Sequence, residues 1–213
     1  MRICLLCIAL SGALICAAAN QAFPAPAPPE PSESTAGAQT AVFAGGCFWG
    51  VEGVFERVKG VSKAIAGYSG GEAKTAHYEI VENGATGHAE SVQVTYDPSK
   101  VSYGQLLEVF FAIAHDPTEK NRQGPDIGTQ YRSIVFYTNE HQKQAAESYI
   151  RRIDAAKVFP TPIVTEVVPL RAFYPAEAYH QKFLQRNPDY PYIVYNDLPK
   201  LAQLRKQFPE LAR

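Results

Sequence analysis

Gln39-Thr40-Ala41-Val42-Phe43-Ala44-Gly45-Gly46-Cys47-Phe48-Trp49-Gly50 is the stretch on which the reading of this chain turns. Its first half is short and apolar, which predicts a strand over 40–44. Beyond the glycines, Trp49, Gly53, Val54 and Val58 recur at helical spacing and predict a helix over 48–57. Gly45 and Gly46 supply the tight turn between them. Cys47 therefore falls on a strand-to-helix turn, where unpaired backbone N–H groups and a partial positive charge favour a thiolate over a thiol. A thiolate is a nucleophile at neutral pH, and Phe48 and Trp49, the single tryptophan of the chain, offer an apolar wall beside it. A buried core cysteine is the alternative on local sequence alone, because free cysteine is commonly buried.

Working outward, strands are predicted near 61–68 and over 89–96, the latter on the alternation of Val92, Val94 and Tyr96. Ser102 is placed to cap a helix from Tyr103 to about Ala114. A strand is expected from Tyr131 to Tyr137, a helix capped by Asn139 to about Ala156, and a strand from Ile163 to Val168. A helix over 176–185 then precedes a proline-interrupted, irregular tail with no assigned structure. The order strand, helix, strand, strand, helix, strand predicts an α+β two-layer sandwich of ferredoxin-like plan, with a mostly antiparallel mixed sheet.

The 213 residues, 46% of them hydrophobic, are enough for one well-buried domain and an extension. A formal net charge of -1 without a long basic run argues against a nucleic-acid surface. Met1-Arg2, the apolar run Ile3–Cys16 and Ala17-Ala18-Ala19 have the pattern of a secretory signal cleaved after Ala19. That run is too short for stable membrane insertion. Export to the periplasm or outside the cell follows, with lipid anchoring at Cys16 as the alternative, although bulky Ile15 precedes that cysteine. Residues 20–39, rich in Pro, Ala and Ser, read as an extended linker, and 40–213 as the catalytic domain. Of four cysteines, Cys4, Cys7 and Cys16 lie in the expected leader, which leaves Cys47 without an internal partner. A lone cysteine in an oxidising compartment points to use rather than packing.

The GCFWG run of 46–50 resembles the catalytic signature of the A-type peptide methionine sulfoxide reductases. Gly87-His88-Ala89-Glu90, residues 121–133 (NRQGPDIGTQYRS) and 173–181 (FYPAEAYHQ) are similar to further segments of that family, in family order. The resemblance spans about Thr40 to Gln181. It implies the same sandwich fold and thiol-dependent reduction of methionine S-sulfoxide, free or in proteins, as repair of oxidised protein. That chemistry needs a soft nucleophile for sulfur and an acid for the oxide oxygen. Cys47 is the expected nucleophile and Glu90 the expected acid, since a carboxyl against an apolar wall keeps its proton to higher pH. The resemblance puts Tyr78 and Tyr131 at the family's oxygen-binding tyrosines and Asp126 at a further polar contact. Phe48 and Trp49 would hold the substrate methyl and so select one sulfur epimer.

No bound cofactor is expected, because no phosphate or dinucleotide motif is present. Glu177 and His180 share a helix face, but two side chains do not close a metal site, and no metal is expected. Many relatives carry further cysteines near the C-terminus. This chain has none after Cys47, so the oxidised thiol must be recycled by an external reductant: a thioredoxin-like protein, glutaredoxin or a small thiol. The enzyme is expected to act as a monomer. Two other readings stay open on sequence: a binding module for methyl-bearing peptides with an inert Cys47, and a peroxide-sensing thiol.

Overall fold

The computed structural model describes residues 23–25 and 37–213. The expected leader 1–19, including Cys16, and most of the linker lie outside the described residues. The part of the linker that is described packs on the domain: the Phe23 ring meets Phe159 edge-on at 5.7 Å, and Arg152 donates to the Ala25 carbonyl.

The chain runs β1 (Gln39–Ala44), α1 (Phe48–Phe55), β2 (Val61–Ser69), α2 (Tyr78–Val81), β3 (Ala89–Tyr96) and α3 (Tyr103–Val109). It continues through β4 (Arg122–Gln123), β5 (Asp126–Ile127), β6 (Ile134–Tyr137), α4 (Glu140–Ala155), β7 (Glu166–Pro169), β8 (Phe173–Pro175), α5 (Phe183–Arg186) and α6 (Leu198–Gln207). Six strands form one sheet in the order β7-β6-β1-β3-β2-β8, antiparallel throughout except for the parallel pair β6 and β7. The fold is mixed α+β.

β1 is central because all of its side chains from Ala41 to Ala44 are buried, alternating between two faces. Ala41 and Phe43 join the large core under the helices, whereas Val42 and Ala44 meet Ala89, Ile134 and Phe136 on the other face. The Phe43 ring stacks on Phe55 of α1 at 5.2 Å and on Phe110, just past α3, at 4.9 Å. Truncating Phe43 to alanine would cost about 3–5 kcal/mol by opening a cavity between three elements. The expected caps are present. Ser102 and Gln105 exchange side-chain and backbone bonds of 3.1 and 2.9 Å, and Asn139 accepts from the Gln142 N–H at 2.9 Å.

Several expected elements are corrected. Tyr131 is not in a strand: residues Thr129–Tyr131 form a 3-10 turn, held by Thr129 Oγ1 donating to Gly84 O and Gln130 Nε2 to Glu82 O, and β6 begins at Ile134. The helix expected over 176–185 shrinks to α5, because Lys182 takes a left-handed φ of 53° and the residues before it spend their side chains on distant partners. Glu177 accepts from Tyr68 and Tyr78, and Gln181 bonds both backbone groups of Ala66. The tail is not irregular. A π-helical turn, Ile193–Asp197, leads into α6, whose Leu201 and Leu204 are buried. Pro199 sits in the first turn of that helix, where its missing N–H has no partner to lose.

Candidate active site

The turn after β1 is built so that only glycine fits. Gly46 has φ of +87°, and a Cβ there would stand 2.5 Å from Gln123 Cγ. Gln123 cannot move away, since its amide is clamped to the backbone of Asp116 by bonds of 3.1 and 2.9 Å. Cys47 follows as the N-cap residue of α1, buried, with its sulfur at the mouth of the helix. The expectation of a helix-activated thiolate is overturned at this point. Burial raises the thiol well above its ordinary value, the Glu90, Asp197 and Asp126 carboxylates add to the rise, and the Trp49 amide opposes it without prevailing. Desolvation and nearby negative charge outweigh the helix terminus, so resting Cys47 is a thiol.

Glu90 lies near the start of β3, opposite Tyr68 of β2, and is buried. The Phe48 N–H donates to its Oε2 at 2.9 Å, which fixes the carboxyl to the residue next to Cys47. Burial pushes this carboxyl up to about 8 against the pull of that hydrogen bond, with a further push from Asp126. Glu90 therefore holds a proton at neutral pH.

Tyr78 opens α2, and its backbone N–H donates at 3.0 Å to Glu177, whose other oxygen accepts from Tyr68 OH at 2.9 Å. That carboxylate ties β2, α2 and the loop before α5 together. Tyr131 comes in from the turn before β6. Burial first and the Glu90 carboxylate second raise both phenols, Tyr78 to about 12, so each is a neutral O–H donor at any working pH. The Tyr78 ring lies 4.5 Å from His180, whose ring is 5.0 Å from that of Phe48. Asp126, in the β4–β5 hairpin, accepts a hydrogen bond from Tyr192 OH.

The indole of Trp49 stacks on Phe183 at 3.8 Å, meets the edges of Tyr190 at 6.2 Å and Tyr192 at 5.8 Å, and donates through Nε1 to His180 Nδ1 at 3.1 Å. It is only partly buried, whereas the Phe48 ring is sunk between Tyr68 and His180. The expected site residues Cys47, Phe48, Trp49, Tyr78, Glu90, Asp126 and Tyr131 come from five parts of the fold: the start of α1, α2, β3, the β4–β5 hairpin and the turn before β6. Sequence reasoning missed Tyr68, Tyr192 and Asp197, and left Glu177 and His180 without roles. Asp197 follows the mixed run Ile193-Val194-Tyr195-Asn196, which carried no signal for its burial. Among the described residues no group of three or more His, Cys, Asp and Glu is arranged to hold a metal ion.

A buried thiol beside a proton-bearing carboxyl and two phenolic donors, with an aromatic wall, fits a cysteine-dependent oxidoreductase. The family described as peptide methionine sulfoxide reductase matches residues 39–212. The chain is 64% identical over 175 residues to a peptide methionine sulfoxide reductase MsrA 2 of Mesorhizobium japonicum, covering 82% of this chain and 90% of the relative. It is 52% identical over 179 residues to a protein of the same description from Synechocystis, covering 84% of each. Among solved structures, it is similar to methionine sulfoxide reductase A of Corynebacterium diphtheriae (TM-score 0.64, 34% identity, 78% of this chain and 85% of that one). It is also similar to reduced Mxr1 of Saccharomyces cerevisiae (TM-score 0.66, 34% identity, 72% and 87%). The chain belongs to the peptide methionine sulfoxide reductase family, A type. It is an enzyme that reduces methionine sulfoxide and so repairs oxidised proteins.

Proposed function

We propose that Cys47 attacks the sulfoxide sulfur while Glu90 protonates its oxygen. The observation that carries this is the 2.9 Å bond from Phe48 N–H to Glu90 Oε2, which holds a protonated, buried carboxyl beside the nucleophile. It leaves the second carboxyl oxygen for the substrate. Tyr78 and Tyr131 donate to the same oxide oxygen without adding a charge, and Asp126, oriented by Tyr192, completes the polar side. The Trp49 wall, backed by Phe48, takes the substrate methyl group and selects the S-configured sulfoxide.

The step balances as follows. A bond forms between the two sulfurs, the protonated oxygen moves to Cys47, and methionine leaves. The thiol's own proton replaces the one Glu90 gave up. Methionine sulfur is reduced by two electrons, and Cys47 is oxidised by two to a sulfenic acid. An external thiol then displaces water to form a mixed disulfide on Cys47, and a second thiol releases it. The reductant is assigned as thioredoxin-like, glutaredoxin or a small thiol, because no cysteine follows Cys47 in the chain.

The family match from residue 39 supports a catalytic domain starting where the Pro-rich stretch ends. Export after removal of the leader is proposed from the pattern of residues 1–19. The inner strand order β6-β1-β3-β2, with helices in the β1–β2 and β3–β6 connections, supports reading the core as a ferredoxin-like plan. The deciding assay is a thiol-free single turnover with mass spectrometry of Cys47. One methionine per enzyme, with the sulfenic acid trapped by dimedone and no reaction in Cys47→Ser, is expected. Two methionines per enzyme or an intramolecular disulfide would sink the recycling scheme.

A further inference from the structure

Arg132 follows Tyr131 directly, and its side chain is mostly buried. Its guanidinium donates to three backbone carbonyls at once: Nη1 to Thr129 O at 2.8 Å and to His88 O at 3.2 Å, and Nη2 to Gly87 O at 3.0 Å. Thr129 begins the 3-10 turn that carries Tyr131, while Gly87 and His88 lead into β3, where Glu90 sits. One side chain thus bolts the segment of a phenolic donor to the segment of the acid. The remaining nitrogen, Nε, faces Glu166 at 3.6 Å, a pairing whose carboxylate is half exposed and which adds little.

The sheet does not make this connection, because β6 pairs with β1 and β7 and not with β3. Both ends of the clamp are themselves held. His88 is buried; it accepts from the Gly71 N–H through Nδ1 at 3.2 Å and therefore donates through Nε2 to Glu72 O at 3.0 Å. The turn is tied on its far side to the end of α2 by the Thr129 and Gln130 side chains. Gly70, with φ of +101°, leaves room for the guanidinium: a Cβ there would stand 2.8 Å from Gly87 O and 3.4 Å from Arg132 Nη2. Arginine suits the place because its planar fork presents several donors in fixed directions, whereas a lysine ammonium is a point charge on a flexible stem.

We propose that Arg132 is a positioning residue whose three-carbonyl clamp sets the Tyr131 phenol against the oxide oxygen that Glu90 protonates. Glu90 has its own anchor in the Phe48 N–H at 2.9 Å, so releasing the clamp displaces the phenol and leaves the acid in place. The loss then falls on the chemical step and not on substrate binding, since a donor about 1 Å out of place can cost as much as 10²-fold in rate. The proposal rests on the reading of Tyr131 as a donor to that oxygen.

Because two phenols share the oxygen, the test is run in full-length Tyr78→Phe, where Tyr131 is the phenol that remains. Adding Arg132→Lys keeps the charge but not the fork, and should lower the saturated single-turnover rate of that variant about ten- to a hundredfold at an unchanged half-saturating substrate concentration. Added to Tyr78→Phe with Tyr131→Phe, the same substitution should cost less than about twofold, since no phenol is left to misplace. Circular dichroism selects the folded variants, and Arg132→Gln, which keeps a planar amide donor, takes the place of Arg132→Lys if the latter does not fold. Equal losses in the two backgrounds would mean a general structural role and overturn the proposal, as would no loss in either. The donor reading itself fails on a different result: Tyr131→Phe leaving the rate of Tyr78→Phe where it was.

Discussion

Replacing Glu90 by glutamine separates the proton it carries from the shape it fills. Glutamine Oε1 can accept the Phe48 N–H as Glu90 Oε2 does at 2.9 Å, so the turn at Cys47 keeps its anchor. What disappears is a carboxyl that burial pushes up to about 8. At pH 7 such a group is about nine-tenths protonated and at pH 9 about one-tenth, so wild-type reduction should fall roughly tenfold for each unit above 8. The fall follows because the reactive state of the proposed step carries both protons: Cys47, raised well above 9.0, attacks from its thiol form and passes its proton to Glu90 within the site, so losing the Glu90 proton first removes that state. Glu90→Gln should lower the rate about 10²- to 10⁴-fold at pH 7, the usual worth of a positioned acid. The remaining rate should no longer fall through pH 8. The assay is single-turnover methionine formation from pH 6 to 9.5, with circular dichroism to show that the fold persists. A variant that keeps the alkaline fall, or loses less than about tenfold, would refute Glu90 as the acid and shift the role to Tyr78 or Tyr131.

Trp49→Ala removes the wall against the substrate methyl, worth about 1 kcal/mol, so KM should rise about fivefold and discrimination between sulfoxide epimers should weaken in an assay on the separated epimers. Gly46→Ala combines strain at φ +87° with the 2.5 Å approach to Gln123, and urea unfolding should show a loss of about 1–3 kcal/mol. Glu52, buried on α1, accepts from the Lys182 N–H at 2.8 Å, and burial lifts its carboxyl to about 7. A folded value above the unfolded one means that its contribution is complete below about pH 4.5 and is lost as pH rises through 7. Wild type should therefore lose stability relative to Glu52→Gln between pH 5 and 8, and a gap constant across that range in urea midpoints would count against the assignment.

The parts of the fold that sequence displayed are those governed by local rules. β1, the start of α1, β3 and the caps at Ser102 and Asn139 follow from alternation, glycine turns and short polar caps, all within a few residues. Where sequence reading went astray, long-range bonds decided the backbone. Residues 176–182 have the spacing of a helix, but Glu177 and Gln181 are claimed by β2 and α2, and Lys182 breaks the run with a left-handed turn. Tyr131 reads as a strand residue because it precedes Ile134-Val135-Phe136, yet the side-chain bonds of Thr129 and Gln130 fold it into a 3-10 turn. Proline at 188, 191 and 199 concealed the tail, although a first-turn proline is no obstacle to a helix.

The ionisation of Cys47 shows why local reasoning gives the wrong sign here. A helix terminus acts over one turn and is worth about 0.3–1 kcal/mol where exposed. Desolvation of a fully buried group can move its pKa by as much as 3–5 units, and carboxylates from β3, the β4–β5 hairpin and the start of α6 add to it. None of those three neighbours lies within 40 residues of Cys47 in sequence. The same enclosure bears on the oxidised state. A sulfenic acid on Cys47 goes irreversibly further only if a second oxidant reaches an ionised sulfur, and the walls of Trp49, Tyr78 and Tyr131 and the surrounding carboxylates disfavour both the approach and the ionisation. In the proposed cycle, with no second cysteine after Cys47 to capture the intermediate, such protection would let it survive until an external thiol arrives.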